Sequence, residues 1–247
     1  MIAQLWMIRL VAVAAMGICL AGCGRTETYR YKLTLAVDTP GGVKRGSSVV
    51  EVLFYDVSFP ERGTMHKLRG EALYLDLGPG ARPLIALLTS HRQPKNTKNY
   101  ADFTKRIRWS LDAGPGDNIL AELYGPRSAD FMDNIARIGH TRGVHGITPG
   151  DLPDLVTFAD INDPRSVIAV DPNNLQAVLG TGITWNEITL ESTDEQVTTD
   201  ITTKLPWVPA HRGRMLDGNT LHYLDGSKTF ANSLSTADFQ WPSNPTQ

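Results

Sequence analysis

The sequence predicts an α+β protein dominated by strands: an antiparallel, sandwich-like sheet assembly with two or three short helices packed on it. Two observations carry this prediction. Short segments alternate apolar and polar residues or are rich in β-branched side chains, and clusters of Gly, Pro, Asn and Asp separate them. Helical spacing with suitable terminal residues is found at only two places, both in the second half of the chain.

The first four predicted strands occupy residues 29–89. In the first, apolar side chains at alternate positions indicate a half-buried strand: Tyr29, Tyr31, Leu33, Leu35 and Val37. Residues 48–55, 71–77 and 82–89 are the next three strands, and turn residues lie between them. We expect all four to form one antiparallel sheet of two hairpins. Tyr29 and Tyr31 share the apolar face and are expected in the core.

A helix is predicted over residues 129–138, with Ser128 as its cap, Arg137 in its last turn and Gly139 as its stop. A second, two-turn helix is predicted from Pro172 to Leu179, capped by Asp171. The remaining predicted elements are strands 155–159, 167–170 and 183–190, the last with a bulge after Trp185, and turns at 216–220 and 225–226. Residues 118–124 fit either a helical turn or a buried strand.

The first 22 residues have the plan of a secretory signal: one charge at Arg9, an apolar stretch, then small residues. The sequence Leu20-Ala21-Gly22-Cys23 resembles the lipobox of bacterial lipoproteins. This resemblance implies cleavage before Cys23 and lipidation of its thiol. The uncharged run from Leu10 to Gly24 has 15 residues, which is short for a membrane-spanning helix of roughly 20.

These features predict a domain organisation and a location. Residues 1–22 are a lipoprotein signal peptide, 23–28 a lipidated tether, and 29–247 one globular domain that is strand-rich over 29–89 and mixed over 117–247. Gly24, rather than Asp, after the lipidated cysteine resembles the outer-membrane sorting of Gram-negative lipoproteins. We therefore expect an envelope protein, lipid-anchored at Cys23 in the outer membrane and facing the periplasm.

Charge and cysteine content exclude several classes of function. The net charge is −2, so nucleic acid is not expected as a partner. There is no run of basic residues to act as a second membrane signal. The two cysteines are Cys19, in the leader, and Cys23. A lipidated mature chain therefore has no disulfide, thiolate nucleophile or cysteine metal ligand.

A group of turn and packing motifs points to a family. These are the stretch Leu152–Phe158, Asp163-Pro164, Asp171-Pro172 and Leu205-Pro206-Trp207. Over roughly residues 150–210 the chain resembles an uncharacterised family of proteobacterial proteins, many of them described as lipoproteins. The family has no assigned activity, so the resemblance implies a fold unit and no chemistry.

Few residues suggest catalysis or metal binding. His140 and His145 are five apart and separated by Gly143, unlike the i, i+4 pair of a zinc-binding helix. Asp160, Asn162 and Asp163 could offer oxygen ligands, but the glycine and glutamate of a calcium loop are missing. An Asx-type turn is the better interpretation of this segment. No catalytic, cofactor-binding or metal-binding residue is assigned.

The sequence therefore favours a non-enzymatic lipoprotein that binds a partner or helps assemble the envelope, with the membrane and an envelope protein as its partners. Sheet edges could accept such a partner by strand addition. One alternative is a hydrolase of envelope material, with a site built from His140, His145, Asp160 and Asp163 in loops. A second is a small-ligand carrier with an apolar cavity. Trp207 and Trp241, each beside a proline, are either packing residues or contact points.

Overall fold

The computed structural model describes residues 24–57, 63–90, 120, 124, 128–221 and 229–241. Its strands, in chain order, are β1 (Thr26–Asp38), β2 (Lys44–Val57), β3 (Gly63–Glu71), β4 (Leu73–Leu75), β5 (Leu84–Ala86), β6 (Val144–Gly146), β7 (Leu155–Phe158), β8 (Val167–Val170), β9 (Thr184–Ser192) and β10 (Gln240–Trp241). The helices are α1 (Phe131–His140), α2 (Gln176–Leu179) and α3 (Ile201–Lys204). Strands form two antiparallel sheets, which confirms the predicted α+β, strand-dominated class.

The first sheet has six strands in the order β10-β3-β2-β1-β9-β6. Its inner face carries the alternate apolar residues of β1, including Tyr29 and Tyr31, which are 2% exposed as expected of core residues. Burial raises the pKa of Tyr31. Helix α1 packs on this face through Met132, Ile135 and Ile138. The hydrophobic effect therefore fixes which face of the sheet turns inward.

The second sheet has four strands in the order β4-β5-β7-β8 and is buried on both faces. One face packs against the first sheet, through residues such as Leu84 and Leu155. The other face, with Val156 and Phe158, packs against the C-terminal part of the chain. The near-continuous apolar runs of these strands follow from this two-sided burial.

The prediction of one N-terminal sheet is wrong. The first predicted strand and its hairpin partner form β1 and β2 of the first sheet, whereas β4 and β5 belong to the second. Strand β3 was not predicted. The chain leaves the first sheet at the end of β3, where Gly70 has a φ of +151° and a Cβ would lie 3.0 Å from Val50. Glycine is therefore required where the chain changes sheets.

Several element boundaries differ from the prediction. β1 begins at Thr26, so residues 26–28 of the predicted tether lie in the sheet. Helix α1 is capped by Asp130, whose side chain accepts from the N–H groups of Met132 and Asp133, and not by Ser128. The second helix begins at Gln176 rather than Pro172, because the Asp171 side chain instead accepts from Asn173 N–H in a turn.

Other predictions are confirmed. Strand β8 has the predicted bounds, and β7 ends one residue early. The bulge after Trp185 is present: Ala36 pairs with Glu187 and Val37 with Trp185, so Asn186 is the extra residue. In the segment 118–124, which the sequence left open, the Tyr124 N–H donates to Leu120 O at 3.0 Å, and the other residues of this segment lie outside the described residues. Residues 91–119 and the turn at 225–226 lie outside the described residues.

Candidate functional site

The outer face of the first sheet is partly covered by residues 193–199, which we name the covering segment. It leaves the end of β9, where Thr193 N–H donates to Arg30 O, and passes over β1. At its other end, Thr198 N–H donates to Val49 O and its hydroxyl accepts from Val49 N–H. Thr198 thus takes the position beside β2 that β3 leaves free when it turns towards the second sheet.

Charged side chains hold the covering segment to the sheet. The Arg30 guanidinium donates to the carbonyl oxygens of Asp194 and Glu195, at 3.4 and 3.2 Å, and Lys32 Nζ lies 2.6 Å from Glu195 Oε1. On the far side, Arg142 Nη2 donates to Asp194 Oδ1 at 2.5 Å. The Arg142 guanidinium holds the pKa of Asp194 below its ordinary value. These contacts hold the backbone of the covering segment in one position over the outer face of β1.

A cleft of about 540 Å³ lies between the covering segment and the edge formed by β3 and β10. Its lining residues are Arg30, Arg69, Gly70, Glu71, Gln196, Val197, Thr198, Thr199, Gln240 and Trp241. Four segments that are distant in the chain contribute to it. The volume is within the range of small-molecule sites, 300–1,000 Å³.

Two arginines form one wall of the cleft. Arg30 Nε donates to Glu51 Oε2 at 2.7 Å, and Arg69 Nε lies 3.4 Å from Glu51 Oε1. All three side chains project from the outer face, because Glu51 pairs with Arg30 on β1 and with Arg69 on β3. The shared carboxylate orients both guanidinium groups and leaves terminal N–H groups of Arg69 available as donors.

Glu71 lies at the base of the cleft, 2% exposed. Its Oε2 accepts from Ile201 N–H, the first residue of α3, and its Oε1 accepts from the Gln240 side-chain amide, both at 2.7 Å. Asp200, the residue before α3, makes no side-chain cap. The Glu71 carboxylate, on β3, therefore provides the hydrogen-bond acceptor for the first N–H group of α3. It also holds β10, which forms one wall of the cleft, in place.

The two tryptophans that the sequence left open have different roles. Trp207 is buried against Phe158 and Phe239, with its indole N–H donating to Ile161 O, and is a packing residue. Trp241 lines the main cleft and also a smaller one of about 230 Å³ on the other side of β10. It offers an aromatic surface at the site where the polar groups converge.

The arrangement is suited to binding a ligand rich in oxygen. Both oxygens of Glu71 already accept hydrogen bonds from the protein. The groups left for a ligand are the Arg69 guanidinium, which only donates, and the Gln196 amide and Thr199 hydroxyl of the covering segment, which donate and accept. An aromatic side chain beside such donors is a combination that can hold a polar ligand in one orientation.

The residues considered for a hydrolase lie in different parts of the fold. His140 is exposed at the end of α1, and His145 is on β6 with its ring edge-on to Tyr124 at 5.0 Å. Asp160 and Asp163 lie in the turn between β7 and β8 of the second sheet. Among the described contacts, no hydrogen bond or ion pair joins either histidine to either carboxylate. The structure does not bring these four residues together.

The Asp160 turn uses its oxygens internally. Asp160 Oδ1 accepts from Asn162 N–H at 2.9 Å, and Asp163 forms a two-point ion pair with Arg165 at 2.9 and 3.0 Å. Arg165 holds the pKa of Asp163 below its ordinary value. Within the described parts of the chain there is no group of three or more His, Cys, Asp and Glu side chains placed to hold a metal ion.

The outermost strands of the two sheets are short. They are β10 and β6 in the first sheet and β4 and β8 in the second, and none is longer than four residues. Short edge strands are one way in which proteins prevent pairing with other chains. However, β10 pairs with β3 only at Gly70 and Glu71, so residues 63–69 of β3 have no strand partner on that side among the described residues. Strand addition therefore has one described edge available, along β3 and next to the cleft.

The predicted lipidation site, Cys23, lies outside the described residues, as does the leader. No helix in the described residues is both long and apolar enough to span a bilayer. Sequence reasoning missed the cleft residues, apart from leaving Trp241 open, because no motif links residues 30, 69–71, 196–199 and 240–241. No family model, curated protein or solved structure matches this chain.

Proposed function

We propose that this protein is a bacterial envelope lipoprotein, anchored through lipid on Cys23, that binds an oxygen-rich polar ligand or partner in the cleft. The observation that carries the binding function is the convergence of Arg30, Arg69 and Trp241 with the covering segment around one cleft. The leader sequence supports the anchor.

The rigidity of the cleft supports binding by a preformed site. Glu51 orients Arg30 and Arg69, Glu71 fixes β10, and Thr198 is bonded to β2. A site whose walls are already held by the protein loses less conformational entropy when a ligand enters. The ligand expected here presents carboxylate, carbonyl or hydroxyl oxygens to Arg69 and a flat or apolar face to Trp241.

The anchor is tested by intact mass and membrane fractionation of the protein beside a Cys23→Ala variant. We expect acyl chains on the mature protein and loss of membrane association in the variant. An unmodified, soluble protein in both cases would overturn the lipoprotein assignment.

The cleft is tested by photo-crosslinking in intact cells. A benzoylphenylalanine at Gln196, exposed in the covering segment, should yield discrete adducts, because a bound ligand lies against this position. The matched control carries the same group at Asn173, exposed in the turn before α2. The Gln196 adducts should be lost when Arg69→Ala is added. Adducts of equal yield at both positions, or adducts that Arg69→Ala leaves unchanged, would contradict binding in the cleft.

A further inference from the structure

One end of the first sheet lies close to the predicted lipid attachment. Only Gly24 and Arg25 separate Cys23 from β1, which begins at Thr26. Three Cα–Cα steps allow at most ~11 Å between Cys23 and Thr26. Arg25 itself is tied to the body, because its carbonyl accepts from Asp56 N–H and its guanidinium donates to Asp133 at 2.7 Å. A lipidated Cys23 therefore holds this end of the sheet close to the membrane.

Two exposed apolar side chains lie at the same end. Thr26 pairs with Tyr55, and Tyr55 with Met65, so these three residues form one row across β1, β2 and β3. Met65 is 51% exposed on the outer face. Phe131, 43% exposed, begins α1 on the inner face, where its ring lies edge-on to Phe54 at 5.2 Å. The two side chains thus lie on opposite faces of one sheet end.

We propose that Met65 and Phe131 form a lipid-docking end, through which the protein rests on the membrane that holds its anchor. This inference rests on the proposed lipidation of Cys23. It commits the molecule to one orientation: the row of Thr26, Tyr55 and Met65 contacts the lipid headgroups, and the β1–β2 turn lies away from the bilayer. Exposed apolar side chains beside an acyl anchor lose contact with water when they enter the interface.

The charges at this end argue for apolar contact rather than attraction to anionic lipid. Among the described residues at this end, the basic groups are Arg25, already paired, and Lys67, which lies over the Tyr55 ring at 5.3 Å. The described acidic groups outnumber them: Glu27, Asp56, Asp130 and Asp133. Anionic headgroups would be repelled, so neutral lipids are the appropriate surface for the test.

The orientation predicts a gradient of distance from the membrane. Val144, 61% exposed on β6, is level with Lys32, because both pair with Glu191. That level is about 20 Å from Thr26 along the strand. Val43, 54% exposed in the β1–β2 turn, is at the far end of the hairpin, about 40 Å away. Both positions provide exposed apolar controls.

The experiment uses the lipidated full chain with one introduced cysteine, in the variants Met65→Cys, Phe131→Cys, Val144→Cys and Val43→Cys. Once Cys19 is removed with the leader and Cys23 is acylated, the introduced thiol is the one that reacts with an environment-sensitive fluorophore. Each protein is reconstituted into phosphatidylcholine–phosphatidylethanolamine vesicles containing a nitroxide-labelled lipid, and fluorescence quenching is measured. Circular dichroism verifies that each variant is folded.

We expect quenching at positions 65 and 131 to be at least threefold stronger than at 43, with 144 in between. Equal quenching at all four positions in a lipidated, vesicle-bound protein would overturn the docking end and leave the anchor intact. A mass without acyl chains would overturn the anchor, and the docking end with it. Labels at 65 and 131 that are unquenched in vesicles, yet shielded from a soluble quencher in whole envelopes, would assign this end to a protein partner instead.

Discussion

The two sheets of this protein meet their surroundings differently. The six-stranded sheet buries one face, while its other face carries charged side chains, the covering segment and the cleft. The four-stranded sheet has apolar neighbours on both faces. In this fold the second sheet therefore supplies packing, and the surfaces available for binding belong mainly to the first. Substitutions in the second sheet should consequently affect mainly stability, whereas those on the outer face of the first sheet should affect mainly interactions.

The largest expected effect is in the second sheet. Phe158 is 1% exposed and contacts the rings of Trp207 and Phe239. Phe158→Ala removes these contacts and leaves a cavity, so we expect a loss of about 3–5 kcal/mol in the free energy of unfolding. Urea denaturation measures the loss. The matched control, Val144→Ala on the exposed edge of the first sheet, should change it by less than about 0.5 kcal/mol. Similar losses in both variants would contradict the contrast.

The next effect is at the junction of the sheets, where Glu71 accepts from Ile201 N–H and the Gln240 amide. Glu71→Ala leaves the buried Ile201 N–H and the half-buried Gln240 amide without an acceptor, and we expect a loss of about 1–3 kcal/mol. Glu71→Gln should retain much of the stability, because its amide oxygen can accept from Ile201 and the Gln240 amide can rotate to match. Equal denaturation midpoints for the two variants would show that the hydrogen bonds of Glu71 contribute little.

The contrast between the sheets also explains what the sequence could predict. From Tyr29 to Val37, strand β1 has an apolar residue at every inward position, so its alternation revealed both the strand and its buried face. In β3 the inward positions are Thr64, His66, Leu68 and Gly70, of which only Leu68 is a large apolar residue. The same alternation of burial is therefore invisible in the hydrophobic pattern.

Long-range organisation was not predictable from local pattern. The apolar runs of β5 and β7 indicated buried strands, but nothing in them determines which sheet they join. The cleft depends on Arg69, Gln240 and Trp241 meeting through the β3–β10 pairing, which covers only two residues on each strand. Such a short pairing leaves no periodic signal, so the site became visible only in three dimensions.

A smaller effect, of opposite sign, is expected at Thr157 in β7. Its hydroxyl is fully buried and has no hydrogen-bond partner among the described residues. Thr157→Val replaces this hydroxyl by a methyl group of similar shape, so we expect unfolding to become more costly by about 1 kcal/mol. The control is Thr34→Val. Thr34 lies on the outer face of the first sheet and lines a surface cleft, where water can bond its hydroxyl, so no such gain is expected. A destabilised Thr157→Val variant would indicate that the hydroxyl has a partner in solution.

The smallest expected effects on stability come from two surface ion pairs, one beside each sheet. Asp163 pairs with Arg165 beside the second sheet, and Asp194 pairs with Arg142 beside the first. In both cases the guanidinium lowers the carboxyl pKa below its ordinary value. A pKa that is lower in the folded chain contributes stability at pH values above the unfolded pKa of about 4. That contribution is lost as the pH falls through the folded pKa.

Carboxyl carbon NMR titration distinguishes the two pairs. Arg165→Ala should raise the pKa of Asp163 towards its ordinary value and leave Asp194 unchanged, while Arg142→Ala should do the reverse. Because both carboxylates are solvent-exposed, neither change should measurably alter stability at neutral pH. Arg142→Ala should nevertheless increase the mobility of the covering segment, since Asp194 is one of its attachments to the body. If backbone relaxation in residues 193–199 is unchanged, the remaining contacts from Arg30 and Lys32 are sufficient to hold the wall of the cleft.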